Sequence, residues 1–308
     1  VEKKQRRRQP SPPFITSTLQ QEAVRKLGFT AQKAMRVAQQ LYEGIDVGEG
    51  AVGLITYMRT DSVTLAKDAL HELREFIAAE YGKDLLPAHA RQYKTTSKNA
   101  QEAHEAIRPT SALRKPRQLK DKLSPEQFRL YELIWRRAVA SQMSHAVIDT
   151  VAVDLDCGRG NSFRASGSTV AEPGFMTVYQ ESADDNGKED SESEVKLPPL
   201  SQGDVLKLDE IRAEQHFTEP PPRYTEASLV KALEERGIGR PSTYASIIST
   251  LRQREYVDFD KKRFTPTEVG RIVNRFLTAH FKDYVDYDFT AKLEDELDAV
   301  SRGEKEWI

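Results

Sequence analysis

Three short segments carry the side chains best suited to chemistry. In Ile55-Thr56-Tyr57-Met58-Arg59-Thr60-Asp61-Ser62, a phenol stands two residues before a guanidinium and just ahead of helix-capping side chains. A phenol with a pKa of about 10 is a poor nucleophile and needs a cation or base beside it. A phosphodiester under attack needs fixed donors for its charge, and arginine's planar fork can hold two phosphate oxygens at once. The residue types therefore permit phosphoryl transfer by Tyr57 with Arg59, although taken alone they fit a half-buried core tyrosine better. In the second segment, Gln101-Glu102-Ala103-His104-Glu105-Ala106-Ile107-Arg108-Pro109, His104 could move a proton or bond a phosphate oxygen, and Arg108 adds a fixed charge. His104 between two acids also suggests a metal site, but the paired histidines of zinc hydrolases are missing and no metal ligand is assigned. In the third, Gly237-Ile238-Gly239-Arg240-Pro241-Ser242-Thr243-Tyr244-Ala245, donors cluster where a helix begins. That pattern suits an anion site and equally a plain glycine stop followed by a helix cap.

Composition narrows the class. The 308 residues are enough for about two or three domains. The single cysteine, Cys157, can form neither an intrachain disulfide nor a zinc ribbon, which favours a reducing compartment, and we expect the cytoplasm. No apolar run approaches the roughly 20 residues of a membrane span, so no membrane is expected. With 46 Lys plus Arg against 48 Asp plus Glu, the net charge of −2 taken alone disfavours a nucleic-acid partner. The charges are unevenly spread, however. Residues 181–194 hold seven acids and one lysine, read as a solvated loop, whereas residues 91–122 hold nine basic residues and three acids.

The elements that must position these side chains follow from periodicity. Residues 1–16, basic and then Pro-rich, read as a linker, and 17–144 as a helical domain. In that domain Thr30 caps a helix burying Ala34, Val37, Ala38 and Leu41. Leu54–Met58 is a strand or tight turn, and Asp61 or Ser62 caps a helix with Leu65, Leu70, Leu73 and Ile77. Ser124-Pro125-Glu126-Gln127 is a capping box opening a third helix. Residues 145–223 read as a small, barrel-like β hinge domain, with strands at Val147–Leu155, Phe175–Tyr179 and Val205–Leu208. Residues 224–308 read as a helical, winged-helix-like unit. There Thr225 caps one helix, Pro241-Ser242-Thr243 opens another, a hairpin spans 256–264, and a helix starts at Thr267. The fold class is thus multidomain, α and β.

Taken together, TYMRTDS, QEAHEAIRP and EASLVKALEERGIGRPSTYASIIST, in this order, closely resemble the type IA DNA topoisomerases, in wording their bacterial topoisomerase I branch. The likeness extends from PPFITSTLQQEA to YDFTAKLEDELD, which is essentially the whole chain. It implies that Tyr57 attacks one strand of DNA, forming a 5′-phosphotyrosine and freeing a 3′-hydroxyl, with Arg59 on the scissile phosphate and His104 beside it. It implies that Arg240 and Thr243 position the strand, with Arg254 a weaker candidate for backbone contact. It implies ATP-independent relaxation of negatively supercoiled DNA by a monomer acting on a single-stranded segment. The Toprim domain that binds Mg2+ in this family has no counterpart here, since Asp154-Leu155-Asp156 lies on an alternating strand. The C-terminal DNA-binding repeats are likewise unmatched. The expectation is therefore a central fragment that cannot relax DNA alone. Rival readings are a winged-helix DNA-binding regulator, an inert hinge and scaffold, or topoisomerase III or reverse gyrase within the same family.

Overall fold

The structure, a computed structural model, describes all residues except 49, 95–103, 183–195 and 308. Its elements are β1 (Glu2–Arg8), α1 (Thr16–Glu22), α2 (Ala31–Glu43), β2 (Ile45–Asp46), β3 (Ala51–Val52), α3 (Lys67–Tyr81), α4 (Pro116–Leu119), α5 (Pro125–Ser141), β4 (Ala146–Asp156), β5 (Ser162–Glu172), α6 (Glu226–Glu235), α7 (Tyr244–Gln253), β6 (Val257–Asp260), β7 (Arg263–Pro266), α8 (Glu268–His280) and α9 (Tyr287–Ser301). This mixture of helices and antiparallel strands is the broad class expected.

Several helices begin where their side chains dictate. Thr30 accepts a hydrogen bond from the Lys33 N–H at 3.1 Å and starts α2, whose Ala34, Val37, Ala38 and Leu41 are buried as their spacing predicts. Ser124 and Gln127 complete a reciprocal capping box at α5, and Thr225 and Thr267 cap α6 and α8. The main core gathers α1, α2, α3 and α5 around Phe14, Leu54, Ile55, Met58, Ile107, Tyr131 and Trp135. A smaller core of Ala31, Val230, Tyr244, Ile248 and Phe264 joins the start of α2 to α6, α7 and the β6–β7 hairpin.

Five expectations are corrected. Residues 2–8, read within a linker, form β1, paired antiparallel to β4 from Glu2 opposite Ala152 to Arg8 opposite Ala146. A strand of successive basic residues is tolerable at a sheet edge, where charge deters further pairing. Pro12 and Phe14 that follow are packed rather than free: Phe14 is buried, and the Pro12 carbonyl accepts a bond from Arg137 Nε at 2.6 Å. Asp61 and Ser62 cap no helix, because the Thr60 and Ser62 hydroxyls accept from the N–H groups of Ser62 and Thr64 and hold the chain in open turns until α3 begins at Lys67. Residues 174–177 are a 3₁₀ turn instead of a strand. It opens at Gly174, whose φ of +50° and close approach to the His145 carbonyl leave no room for a side chain. Residues 205–208 have no regular structure and are exposed. Finally, the described residues show a three-stranded sheet, ordered β1-β4-β5, in place of a barrel. The acidic run falls mostly outside the described residues.

One carboxylate links the two cores. Glu226, at the start of α6, is buried and accepts the Ala31 N–H at 2.7 Å, so that it sits on the N-terminus of α2, with Arg252 at 3.6 Å. Burial raises its pKa above the usual 4.5, against the opposing pull of the Ala31 N–H and Arg252. A raised carboxyl pKa means that the folded chain holds the proton more tightly than the unfolded one. Its contribution to stability is complete below the unfolded value and is lost as pH rises through the folded one. Glu226→Gln, which keeps an acceptor for Ala31, is therefore expected to gain in stability relative to the unsubstituted chain as pH rises from acid to neutral. Urea unfolding at several pH values measures this, and a difference independent of pH would contradict it.

Candidate active site

Tyr57 is exposed because its neighbours cannot be. Ile55 and Met58 are each 1% exposed, anchoring both sides of the loop in the main core, while Tyr57 is 39% exposed. Three distant segments are laced together around it. The Thr16 hydroxyl lies 2.7 Å from the Met58 carbonyl and 3.0 Å from the Thr60 carbonyl, and it accepts the Thr60 N–H at 2.9 Å. The Thr56 hydroxyl donates to the Ala106 carbonyl at 2.7 Å and accepts the Arg108 N–H at 3.0 Å. The Ile107 N–H donates to the Phe14 carbonyl at 2.8 Å, and the Thr56 N–H to the Arg108 carbonyl at 3.0 Å. The segments holding Phe14, Tyr57 and His104 thus behave as one piece of irregular sheet.

Around the phenol, the Tyr42 ring meets Tyr57 edge-on at 5.3 Å and the His104 ring lies at 6.0 Å. A cleft of about 270 Å³ is lined by Tyr57, Arg59, His104, Arg240, Asp61 and Asp298 among others. Four residues singled out from three separate sequence motifs, Tyr57 and Arg59, His104, and Arg240, therefore share one cavity. Arg59 is exposed and makes no hydrogen bond or ion pair among the described residues.

Arg240 is differently placed. Gly239, at a φ of +82°, turns the chain so that Arg240 faces α9. There Nε and Nη2 donate to Asp298 at 3.0 and 2.6 Å, and Nη1 donates to the Gly237 and Gly239 carbonyls. Glu294 and Asp295 lie 3.6 Å from the guanidinium. Burial works against its charge, but the bonds to Asp298 and the field of the three acids outweigh it and hold the pKa above the ordinary arginine value. Thr243 accepts the Arg240 N–H at 2.8 Å, fixing the turn rather than lining the cleft. Arg254 sits at the far end of α7, exposed and away from the cleft. Arg108 is turned onto Glu105, at 2.8 Å from Nε and 2.7 Å from Nη2, and is likewise outside the cleft lining. Gln101, Glu102 and Ala103 of the second motif lie outside the described residues.

Sequence reasoning assigned no role to Asp298, Ser242, Tyr42 or Thr16, although Thr16, Ser242 and Asp298 lie within quoted motifs. Their spacing marked helix faces and caps, and only the fold shows that they reach the tyrosine.

A family model described as DNA topoisomerase matches residues 1–308. The chain belongs to the DNA topoisomerase family. DNA topoisomerase 1 of Xylella fastidiosa is 62% identical over 309 residues, spanning 100% of this chain and 38% of that protein. The Rickettsia felis DNA topoisomerase 1 is 56% identical over 308 residues, spanning 100% of this chain and 39% of that protein. Among solved structures, full-length topoisomerase I from Thermotoga maritima matches with a TM-score of 0.86 at 37% identity, over 99% of this chain and 48% of that one. The resemblance read from the motifs therefore holds, and a free-standing winged-helix regulator is not favoured. The chain spans less than half the length of each of these family members.

Thr16 is the test of the lacing. Thr16→Val keeps the shape but leaves the buried Thr60 N–H without its acceptor, an expected loss of about 1–3 kcal/mol in urea unfolding. A loss below about 0.5 kcal/mol, the range of an ordinary surface change, would show that the hydroxyl does not hold the loop.

Proposed function

We propose that this chain carries the strand-cutting tyrosine of a type IA DNA topoisomerase, the topoisomerase I branch in particular, and that Tyr57 is its nucleophile. The observation that carries the proposal is the placement of an exposed phenol on a rigid loop with Arg59 and His104 on the same cleft. The Tyr57 oxygen attacks the phosphorus of a single-stranded segment. A tyrosine–phosphorus bond forms as the bond to the 3′ oxygen breaks. The phenol gives up a proton and the 3′ oxygen takes one, so a 5′-phosphotyrosine and a 3′-hydroxyl result with no net proton change. Religation is the reverse. One phosphodiester replaces another, so no nucleotide need be hydrolysed, and the torsional strain of negatively supercoiled DNA supplies the direction.

Within this scheme Arg59 holds the nonbridging oxygens, whose charge it meets with a free fork. His104 stands ready to bond the scissile phosphate or its neighbour. Arg240 must trade part of its contact with Asp298 before it can meet a phosphate, and Thr243 serves by fixing its turn. Arg108 and Arg254 contribute to DNA affinity only away from the cleft.

If bound, Mg2+ would supply charge neutralisation at the phosphate, and the family resemblance places the residues that would hold it in a Toprim domain. Among the described residues no group of three or more acidic, histidine or cysteine side chains is arranged to hold a metal ion. Of the two acids that line the cleft, Asp298 on α9 is occupied by Arg240, and Asp61 stands on the tyrosine loop. The residues present do not fit a magnesium site, and no step is derived through one. No helix among the described residues is long and apolar enough to cross a membrane. A monomer working in the cytoplasm is the reading that goes with this function.

The test combines the chain, a separately produced Toprim domain, Mg2+ and an end-labelled single-stranded oligonucleotide. A covalent adduct that survives denaturation is expected from the unsubstituted chain and none from Tyr57→Phe. Arg59→Ala is expected to form it about 100-fold more slowly, as when a fixed donor to the transition state is removed. An undiminished adduct from Tyr57→Phe would refute the assignment.

A further inference from the structure

Tyr57 and Arg59 stand where two clefts meet. The first is the one shared with His104 and Arg240. The second, of about 600 Å³, runs between the outer face of α2 and the N-terminal half of α7, and Tyr57, Met58 and Arg59 line it together with Gln32, Arg36, Gln39, Ser242, Ser246 and Ser249. Gln32, Arg36 and Gln39 are four and three residues apart, so they fall on one face of α2. Ser246 and Ser249 repeat the same logic on α7.

The two clefts differ in charge. In the first, Arg240 is committed to Asp298, Glu294 and Asp295, and Asp61 adds a further acid to the wall. In the second, Arg36 is exposed and its side chain makes no ion pair or hydrogen bond among the described residues. The one carboxylate lining it, Glu43, already accepts from Gln39 Nε2 at 2.6 Å. The serine hydroxyls bond back to their own helix, Ser246 to the Thr243 carbonyl and Ser249 to the Ser246 carbonyl, and they can rotate outward to donate to a phosphate. A polyanion reaching Tyr57 thus finds an open cation on the α2 side and a neutralised one on the α9 side.

A phosphate at Tyr57 is one link of a continuous strand, so its neighbours must lie along the walls that adjoin the tyrosine. We propose that the groove between α2 and α7 seats the single strand next to the scissile phosphate, and that Arg36 grips a backbone phosphate there. This rests on the reading of Tyr57 as a nucleophile acting on DNA. Tyr57 is the one aromatic side chain lining this groove among the described residues; beside the two arginines and Glu43 the walls are amides, small hydroxyls, small apolar groups and the thioethers of Met35 and Met58, which suits contact with the backbone and tolerance of base sequence.

The test is fluorescence anisotropy of a labelled oligothymidine titrated with the full chain over a range of salt concentrations. Arg36→Ala is expected to weaken binding about 3- to 10-fold at low salt. It should also reduce the slope of log affinity against log salt by about 0.7, the value for one lost phosphate contact on a single strand. Arg36→Lys should restore the slope, and Arg164→Ala, on the exposed β5, should change neither quantity. If Tyr57 forms its adduct while Arg36→Ala binds with unchanged affinity and slope, the groove assignment falls and the nucleophile stands. If no adduct forms but Arg36→Ala still lowers affinity and slope, the groove stands and the nucleophile reading falls. Absence of any salt-dependent binding by the unsubstituted chain overturns the groove.

Discussion

Two threonine hydroxyls, the buried Thr16 and the half-buried Thr56, hold the geometry on which the site depends. Thr16 ties the carbonyls of Met58 and Thr60 to the start of α1, and Thr56 ties the tyrosine loop to the backbone of Ala106 and Arg108. Each hydroxyl serves backbone groups that no helix or long strand can satisfy, and a buried backbone group left unpaired is costly. With Ile55 and Met58 sunk in the core on either side, the loop has one way to run, and it presents Tyr57 outward. A nucleophile must be exposed and yet fixed, and here the exposure is local while the fixing is done from beneath.

The rest of the cleft comes from a second packing unit. Glu226 caps α2 from α6, and Tyr244 and Ile248 of α7 share a small core with Ala31. That contact brings Arg240, Ser242 and Asp298 up to the tyrosine loop. The interface is joined by a buried carboxylate and a modest apolar patch rather than by a broad core, whereas the tyrosine and its lacing lie within the larger one. Removing the second unit would take away one wall of both clefts and leave the nucleophile's support intact.

Where local chemistry decides an element, the sequence was legible. Thr30, Ser124, Thr225 and Thr267 cap the helices that their side chains announce, and the alternation from Val147 marks β4. The failures have physical causes. β1 is a run of basic residues with no apolar alternation, and it is a strand only because β4 offers a paired edge. β5 is rich in serine, glycine and alanine and gave no strand signal for the same reason. Asp61 and Ser62 look like helix caps, but the buried lacing of Thr60 holds the chain extended past them. At the site, Tyr57, Arg59, His104 and Arg240 could be chosen from their motifs, yet not the acids that neutralise Arg240. That pairing joins residues 58 positions apart and belongs to tertiary structure alone.

The central claim is that Tyr57, among the 11 tyrosines of the chain, is the one that bonds to DNA. The most direct measurement traps the adduct formed in the presence of the Toprim domain and Mg2+, digests it with protease and nuclease, and locates the residual nucleotide by mass spectrometry. The account predicts the added mass on the peptide containing Thr56-Tyr57-Met58. A nucleotide on any other residue, including the neighbouring Tyr42, would contradict it.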